Sequence, residues 1–473
     1  MEPLLAVDFG STYTKAVLFD IASAGVVATA QSPSTVATDV TIGLGHVLED
    51  LSRRTGIDLG RVRALACSSA AGGLRVAVSG LVPALSLEAA RRAALGAGAK
   101  IVSAHGFKLT ARTLAEIEAT APDIVLLAGG TNGGDEEVIL HNAGILARSK
   151  MSTPVIVAGN ECVTQECVDL LAAAGKPVRI ARNLLPEVGR IDVESVHATI
   201  RELFITGITH AKGIDRVATQ LELAADIVPT PAAVLEAARL LAQGSGSRKG
   251  FGDTVVVDVG GATTDVHSAA SGAPSIPGVV QRGLPELWLK RTVEGDLGMR
   301  INAQTIVERY GRANLAQLAN APGSSVSLDE AAVDNYVGRV GQRTEHVPAD
   351  TAERALDKAL ARAAVQVAMS RHAGSLREVY TPTGSVTVQE GKDLGETAAV
   401  IGVGGVLARG EDPRFILEGA LAAGDPQSLL PRNPALYLDR KYILFGIGLL
   451  AGVNPDAAAA IACEYLERLP RQT

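Results

Sequence analysis

The chain has 473 residues, close to three times the length of an ordinary ~150-residue domain, so about two to four domains are expected. Its 44 Lys and Arg against 51 Asp and Glu leave a formal charge of -7 with no long run of either sign, which argues against a nucleic-acid or anionic-membrane binder. With 47% hydrophobic residues it is too apolar for disorder, yet it has no uncharged apolar stretch long enough to span a bilayer.

There are 50 Gly but only 7 Phe, 7 Tyr and 1 Trp, so the core is built from Ala, Val, Leu and Ile. That suits closely packed parallel α/β layers better than a β-sandwich. The opening MEPLLAVDFG has neither a basic segment nor a small-residue cleavage site, so it reads as a first strand, and a cytoplasmic address is expected. Cys67, Cys162, Cys167 and Cys463 make no disulfide framework. The one close pair has no His nearby, so free thiols are expected rather than a metal site.

In chain order, strands are expected at 4–7, 15–20, 26–31 and 62–68, with a helix over 40–54 before the last of them. From 74 to 182 the rhythm becomes strictly βα. Strands at 74–78, 100–103, 123–127, 154–158 and 178–181 alternate with helices at 87–95, 111–119, 136–147 and 163–174, the pattern of a parallel doubly wound unit. Helices are then expected at 187–204 and 231–241, followed by the Gly/Ser-rich linker 243–250. A strand-turn-strand start recurs at 254–268. After it come a polar helical region over 285–347, a long helix over 351–371, strands at 386–389 and 397–403, and a closing helix over 440–450. The domain reading is therefore 1–73 with 184–250, an insert at 74–183, and 251–473 with a helical subdomain at about 285–350.

The strongest chemical signal is a repeated pair: Asp8-Phe9-Gly10-Ser11-Thr12 and Asp258-Val259-Gly260-Gly261-Ala262-Thr263-Thr264-Asp265. In each, an apolar strand ends in Asp, a Gly-bearing turn follows, and hydroxyl residues lead into a second strand. Glycines let backbone N–H groups close on phosphate oxygens, hydroxyls add donors, and an Asp at each strand end can hold waters of an octahedral Mg²⁺. One such turn is weak, since any hairpin needs similar residues. Two copies some 250 residues apart are much harder to attribute to hairpins alone. A third cluster, Gly402, Gly404 and Gly405 after the last apolar strand, lacks the spacing of a dinucleotide fingerprint and suits an adenosine lying against bare backbone.

Together the three clusters resemble the actin, sugar-kinase and DnaK-type chaperone superfamily. The fold class this implies is α/β, with duplicated actin-like ATPase (ribonuclease H-like) domains and ATP with Mg²⁺ in the cleft between them. Asp8 and Asp258 would be the metal-water ligands and catalytic carboxylates. Gly10, Ser11, Thr12, Lys15, Gly260, Gly261, Thr263 and Thr264 would lie at the phosphates, and Gly402, Gly404 and Gly405 at the adenosine. The helices over 231–241 and 445–452 would be hinge helices, or else plain Ala/Gly-rich core helices. The strings DFGSTYTKAVLFD, LLAGGTNGGDEEVILHNA, VVDVGGATTDVHS and TVEGDLGMR are similar to the MutL/GlmL-type accessory proteins of adenosylcobalamin-dependent glutamate (methylaspartate) mutase. These are unrelated to the mismatch-repair protein of similar name. Membership implies an ATP-dependent reactivating factor whose partner is such a mutase, with no nucleic acid or membrane partner.

The insert resembles a cobalamin-binding domain, but at 80–85, where such domains carry D-x-H-x-x-G, it has Gly80-Leu81-Val82-Pro83-Ala84-Leu85, without Asp or His. A mimic that competes for the catalytic subunit and a generic doubly wound insert both remain open. Asp265, and then Glu294 or Asp296, are the candidates to orient the attacking water, the last two reading equally as solvated turn acids. Asp135-Glu136-Glu137 reads first as a helix N-terminus. Lys15 either faces phosphate or is an ordinary exposed lysine. A small-molecule kinase of the same superfamily and an actin-like structural protein are the competing functions.

Overall fold

The computed structural model describes all residues except 11, 37, 70–73, 209–212, 214–215, 218–219, 322–325, 383, 426 and 471–473. They form two compact units, Met1–Val234 with Gly283–Pro285, and Leu235–Arg282 with Glu286–Thr473.

The first unit holds two sheets. Strands β1 (Pro3–Phe9), β2 (Tyr13–Asp20) and β3 (Gly25–Pro33) form an antiparallel meander, and β4 (Arg63–Ser68) runs parallel to β1. Helix α1 (Val40–Thr55) covers one face. Asp39 caps it by accepting from Thr41 N, and Gly56 ends it at φ +73°, a conformation only glycine adopts freely. Leu5, Val7, Phe9, Ala16 and Leu18 alternate into a core with Val40, Leu44, Val47 and Leu51 of α1.

The second sheet is all-parallel: β5 (Arg75–Gly80), β6 (Lys100–Gly106), β7 (Ile124–Leu127), β8 (Val155–Val157) and β9 (Val178–Ile180), in the order β6-β5-β7-β8-β9. Its helices are α2 (Glu88–Gly96), α3 (Ala111–Ala119), α4 (Glu137–Ala147), α5 (Thr164–Ala173) and α6 (Glu194–Ile208). Val76, Val78, Leu126 and Ile156 feed one core, and Ala77, Val125, Leu127, Val155 and Val157 feed the other. A sheet buried on both faces must be apolar at successive positions, and this explains the continuous Val/Leu runs of the sequence. Short strands β10 (Glu222–Leu223) and β11 (Val228–Pro229) return to β4, and α7 (Thr230–Gln243) carries the chain on.

In the second unit, β12 (Thr254–Val259) and β13 (Thr264–Ala269) form the repeated hairpin. The strands β14 (Val280–Arg282), β15 (Leu289–Glu294), β16 (Ser375–Thr381), β17 (Gly384–Glu390), β18 (Ala399–Val403), β19 (Ala435–Leu438) and β20 (Glu467–Arg468) follow. One sheet runs β15-β13-β12-β18-β19-β20 and a smaller one β14-β17-β16. Helices α8 (Ala303–Tyr310), α9 (Arg312–Ala319), α10 (Glu330–Gln342) and the 22-residue α11 (Thr351–His372) pack over Val255, Val257, Val259 and Val266. Helices α12 (Gly405–Arg409), α13 (Pro413–Leu417), α14 (Leu444–Ala451) and α15 (Pro455–Tyr465) complete the unit.

Three expectations need correction. The helix expected over 187–204 starts only at Glu194, because Gly189 at φ +88° and the Glu187–Arg190 bridge make a turn first. The region expected to be helical from 285 begins with strand β15, whose buried Arg291 disguises its inward face. The closing helix begins at Leu444 rather than 440, because Asp439 accepts from the amides of Ile443 and Leu444 and so sets its start.

Candidate functional site

The two Gly-bearing turns are the same structure built twice. Gly10 N donates to Tyr13 O at 3.0 Å, and Gly260 N to Thr263 O at 2.9 Å. A Cβ on Gly10 would lie 2.6 Å from Tyr13 O, and one on Gly260 2.9 Å from Thr263 O, so the same close approach demands glycine in both. Asp8 stands opposite Lys15 across the first hairpin, and Asp258 stands opposite Asp265 across the second.

Residues remote in sequence tie back the carbonyls of both turns. Ser34 Oγ donates to Gly10 O at 2.8 Å and Ser34 N to Thr12 O at 2.9 Å. In the second turn, Met299 N donates to Gly260 O, Arg300 N and Ile301 N to Gly261 O, and Asn302 Nδ2 to Ala262 O, all at 2.9–3.1 Å. With those carbonyls occupied, the N–H groups of Gly261, Ala262 and Thr263 donate to no acceptor among the described residues. Successive unpaired amides in a turn form an anion-binding concavity. Ser34 carries no local signal in the sequence, and the 298–302 segment only the end of the string TVEGDLGMR.

Asp8 is 4% exposed. Its Oδ1 accepts from Thr230 Oγ1 at 2.6 Å and from Cys67 Sγ at 3.6 Å. Burial pushes its carboxyl above the usual range, while the Lys15 charge and these hydrogen bonds oppose the rise. Burial, and then the Asp8 charge, push the Cys67 thiol far up, so it is an inert donor. In the second hairpin the partner of Asp258 is another acid, and its charge is offset from the side: Arg291 Nη2 donates to Asp265 Oδ2 at 2.7 Å, with side-chain exposures of 5% and 13%. Asp265 Oδ1 is buried and meets no hydrogen-bond partner among the described residues.

The remaining candidates occupy separate places, some beside the second hairpin and one in the insert. Gly404 sits at φ +116°, and a Cβ there would lie 2.2 Å from Val259 O, so the third cluster rests directly on the end of β12. Gly402 is enclosed by Leu417 and Leu407, and Gly405 faces Tyr442 Oη. Thr264 is buried and its hydroxyl donates to Leu297 O at 2.7 Å, binding the 294–302 segment to the hairpin. Ser11 lies outside the described residues. Arg371 holds both Glu294, at 2.5 Å, and Asp296, at 2.6 Å. Burial raises the Glu294 carboxyl, whereas the Arg371 hydrogen bond lowers that of Asp296. Asp135 Oδ1 accepts from Val138 N at the start of α4, a helix-terminus role. Among the described residues no three metal-ligating side chains converge, and no helix is long and apolar enough to cross a membrane.

Among solved structures, the chain is similar to the activator of the 2-hydroxyisocaproyl-CoA dehydratase from Clostridium difficile with bound ADPNP (10% identity, covering 100% of this chain and 99% of that one, TM-score 0.34). It is also similar to a ligand-bound xylulose kinase from Lactobacillus acidophilus (11% identity, covering 99% and 93%, TM-score 0.38). Similarity in sequence is far stronger. Protein MutL of Clostridium tetanomorphum is 42% identical over 474 residues, covering 99% of this chain and all of that one. The family described as MutL protein matches residues 4–466, and the chain belongs to that family.

Proposed function

We propose that the chain is an ATP-binding accessory factor which uses Mg²⁺-dependent ATP hydrolysis to loosen an adenosylcobalamin-dependent mutase and release damaged cofactor. The observation that carries the nucleotide half of this reading is the duplicated hairpin, with its tied-back carbonyls and the unpaired amides of Gly261, Ala262 and Thr263. Family membership supports the accessory half, since the mutase partner is what the resemblance of the whole sequence implies.

Mg²⁺ keeps most of its waters and asks a protein for only one or two carboxylates beside the phosphates. An Asp at the end of each strand, Asp8 in the first unit and Asp258 in the second, is the residue type that meets that demand. Bound there, Mg²⁺ would neutralise phosphate charge. The chain's own residues do the rest. Amides of the turns orient phosphate oxygens, and Lys15 adds a positive charge beside Asp8. Asp265 Oδ1, which meets no donor among the described residues, would hold a water proton, and of the three glycines of the third cluster the exposed Gly405 would offer backbone to the adenosine, Gly402 and Gly404 being buried against Leu407, Leu417 and Val259.

The insert is assigned as a mimic of the cobalamin carrier that engages the mutase's catalytic subunit. In a sheet ordered β6-β5-β7-β8-β9, ligands ordinarily lie at the carboxyl ends of β5 and β7. Here a Cβ on Gly129 would sit 3.4–3.5 Å from Leu81, so Leu81 packs against that end of β7. Ser86 Oγ takes the amides of Leu81 and Val82. These contacts support a closed insert.

The test is product analysis of ATP turnover. The wild-type chain should give ADP and free phosphate with no phosphorylated acceptor, and Asp8→Ala or Asp258→Ala should abolish turnover while leaving the melting transition in place. A phosphorylated small molecule would point to a kinase instead, and unchanged turnover in both variants would refute the site.

A further inference from the structure

Arg300 is not used by the reading above, yet it joins the second turn to the helical layer. Its main-chain N–H donates to Gly261 O at 2.9 Å. Its guanidinium donates to Asp357 of α11, Nη1 to Oδ1 at 2.8 Å and Nη2 to Oδ2 at 3.4 Å, and to its own neighbour's carbonyl, Met299 O, at 3.0 Å. Asp357 Oδ1 also accepts from Tyr336 Oη of α10 at 2.6 Å. The pair is largely enclosed, with side-chain exposures of 16% for Arg300 and 9% for Asp357, and Tyr336 is buried. Alongside, a Cβ on Gly298 would lie 2.3 Å from the Ala262 carbonyl carbon, so the 298–300 backbone runs flush against the turn.

A turn whose unpaired amides are to meet an anion gains from being held in that shape beforehand, because any ordering cost is then met at folding rather than at binding. The fork of an Arg on a carboxylate fixes both position and angle, which a flexible Lys does not. We propose that Arg300, anchored by Asp357 and Tyr336, is the positioning residue that holds Gly261, Ala262 and Thr263 with their N–H groups turned outward for phosphate. The assignment rests on reading this turn as a nucleotide-phosphate site. It makes the long helix α11 part of the phosphate site's support without touching the ligand.

The experiment measures binding of a non-hydrolysable ATP analogue and of adenosine to the full-length chain and its variants. Arg300→Ala should weaken the ATP analogue by about tenfold or more and leave adenosine affinity unchanged, because only the phosphates meet the turn. Asp357→Asn should fall in the same direction, and Arg300→Lys should restore part of the loss. The Arg300→Ala and Asp357→Asn losses should be far from additive in the double variant. A merely structural role would weaken both ligands together. If Arg300→Ala fails to fold, Tyr336→Phe carries the test, with an expected loss of about two- to threefold for the ATP analogue alone. Equal loss for both ligands, or no loss in any variant, overturns the positioning role while nucleotide binding by wild type upholds the site. No nucleotide binding by wild type overturns the site and the positioning role together.

Discussion

Asp8 takes hydrogen bonds from a threonine 222 positions and a cysteine 59 positions away in the chain. This separation marks the limit of what was legible at the residue scale. Asp8, Gly10, Asp258 and Gly260 stood out because each turn is local, and a strand end, a glycine and a hydroxyl lie within five residues. Thr230, Ser34, Arg291 and Arg300 did not, because they reach the site only through tertiary packing and are ordinary residues in their own segments. Buried histidines were invisible for the same reason. Burial and the Arg291 charge push His267 down to about 3. Burial, with Lys290 and Lys392 close by, pushes His372 well below the ordinary 6.5. Both are neutral in the folded chain and protonate readily once unfolded, so their contribution is intact above pH 6.5 and is lost as pH falls below it. Each histidine then costs about 1.4 kcal/mol per pH unit until its folded value is reached. Urea midpoints compared at about pH 7.5 and about pH 5 should be clearly lower in acid, with the gap narrowed in His267→Asn. Equal midpoints at both pH values would contradict this account of the buried network.

At the element scale, the βα rhythm of 74–182 and the long helix α11 were plain from periodicity, since both are buried in ways that leave an unbroken apolar signature. Strands β15, β16 and β17 were seen poorly or not at all. β15 buries an arginine, and β16 and β17 form a largely exposed hairpin whose alternation is weak. Glycine is the residue that most separates element from site. Gly404→Ala would add a Cβ 2.2 Å from Val259 O at a φ that disfavours it, so a loss of about 1–3 kcal/mol is expected, with weaker ATP binding. Gly338 lies inside α10 with nothing within 4 Å of its would-be Cβ, and Gly338→Ala should stabilise the chain by about 0.5–1 kcal/mol. A shift of the melting temperature in the same direction for both variants would contradict the assignment of a special role to Gly404.

For the whole molecule, the chain builds the same hairpin twice, once in each compact unit, and then distinguishes the copies by charge. Lys15 faces Asp8, whereas Asp265, held by Arg291, faces Asp258. The sheet order of the insert and the division into two units depend on contacts between distant segments, and no local pattern in the sequence encodes them. The family, by contrast, was legible, because its motifs are continuous strings spread from the first strand to Arg300. In the proposed function, ATP is used to remodel a cobalamin enzyme. The most direct test incubates the chain with an adenosylcobalamin-dependent mutase inactivated with its damaged cofactor in place, and follows release of that cofactor with ATP, with a non-hydrolysable analogue, and with the Asp8→Ala variant. Release that requires ATP, fails with the analogue and fails with Asp8→Ala is the predicted result; release that is independent of nucleotide, or none under any condition while ATP is hydrolysed, would contradict it.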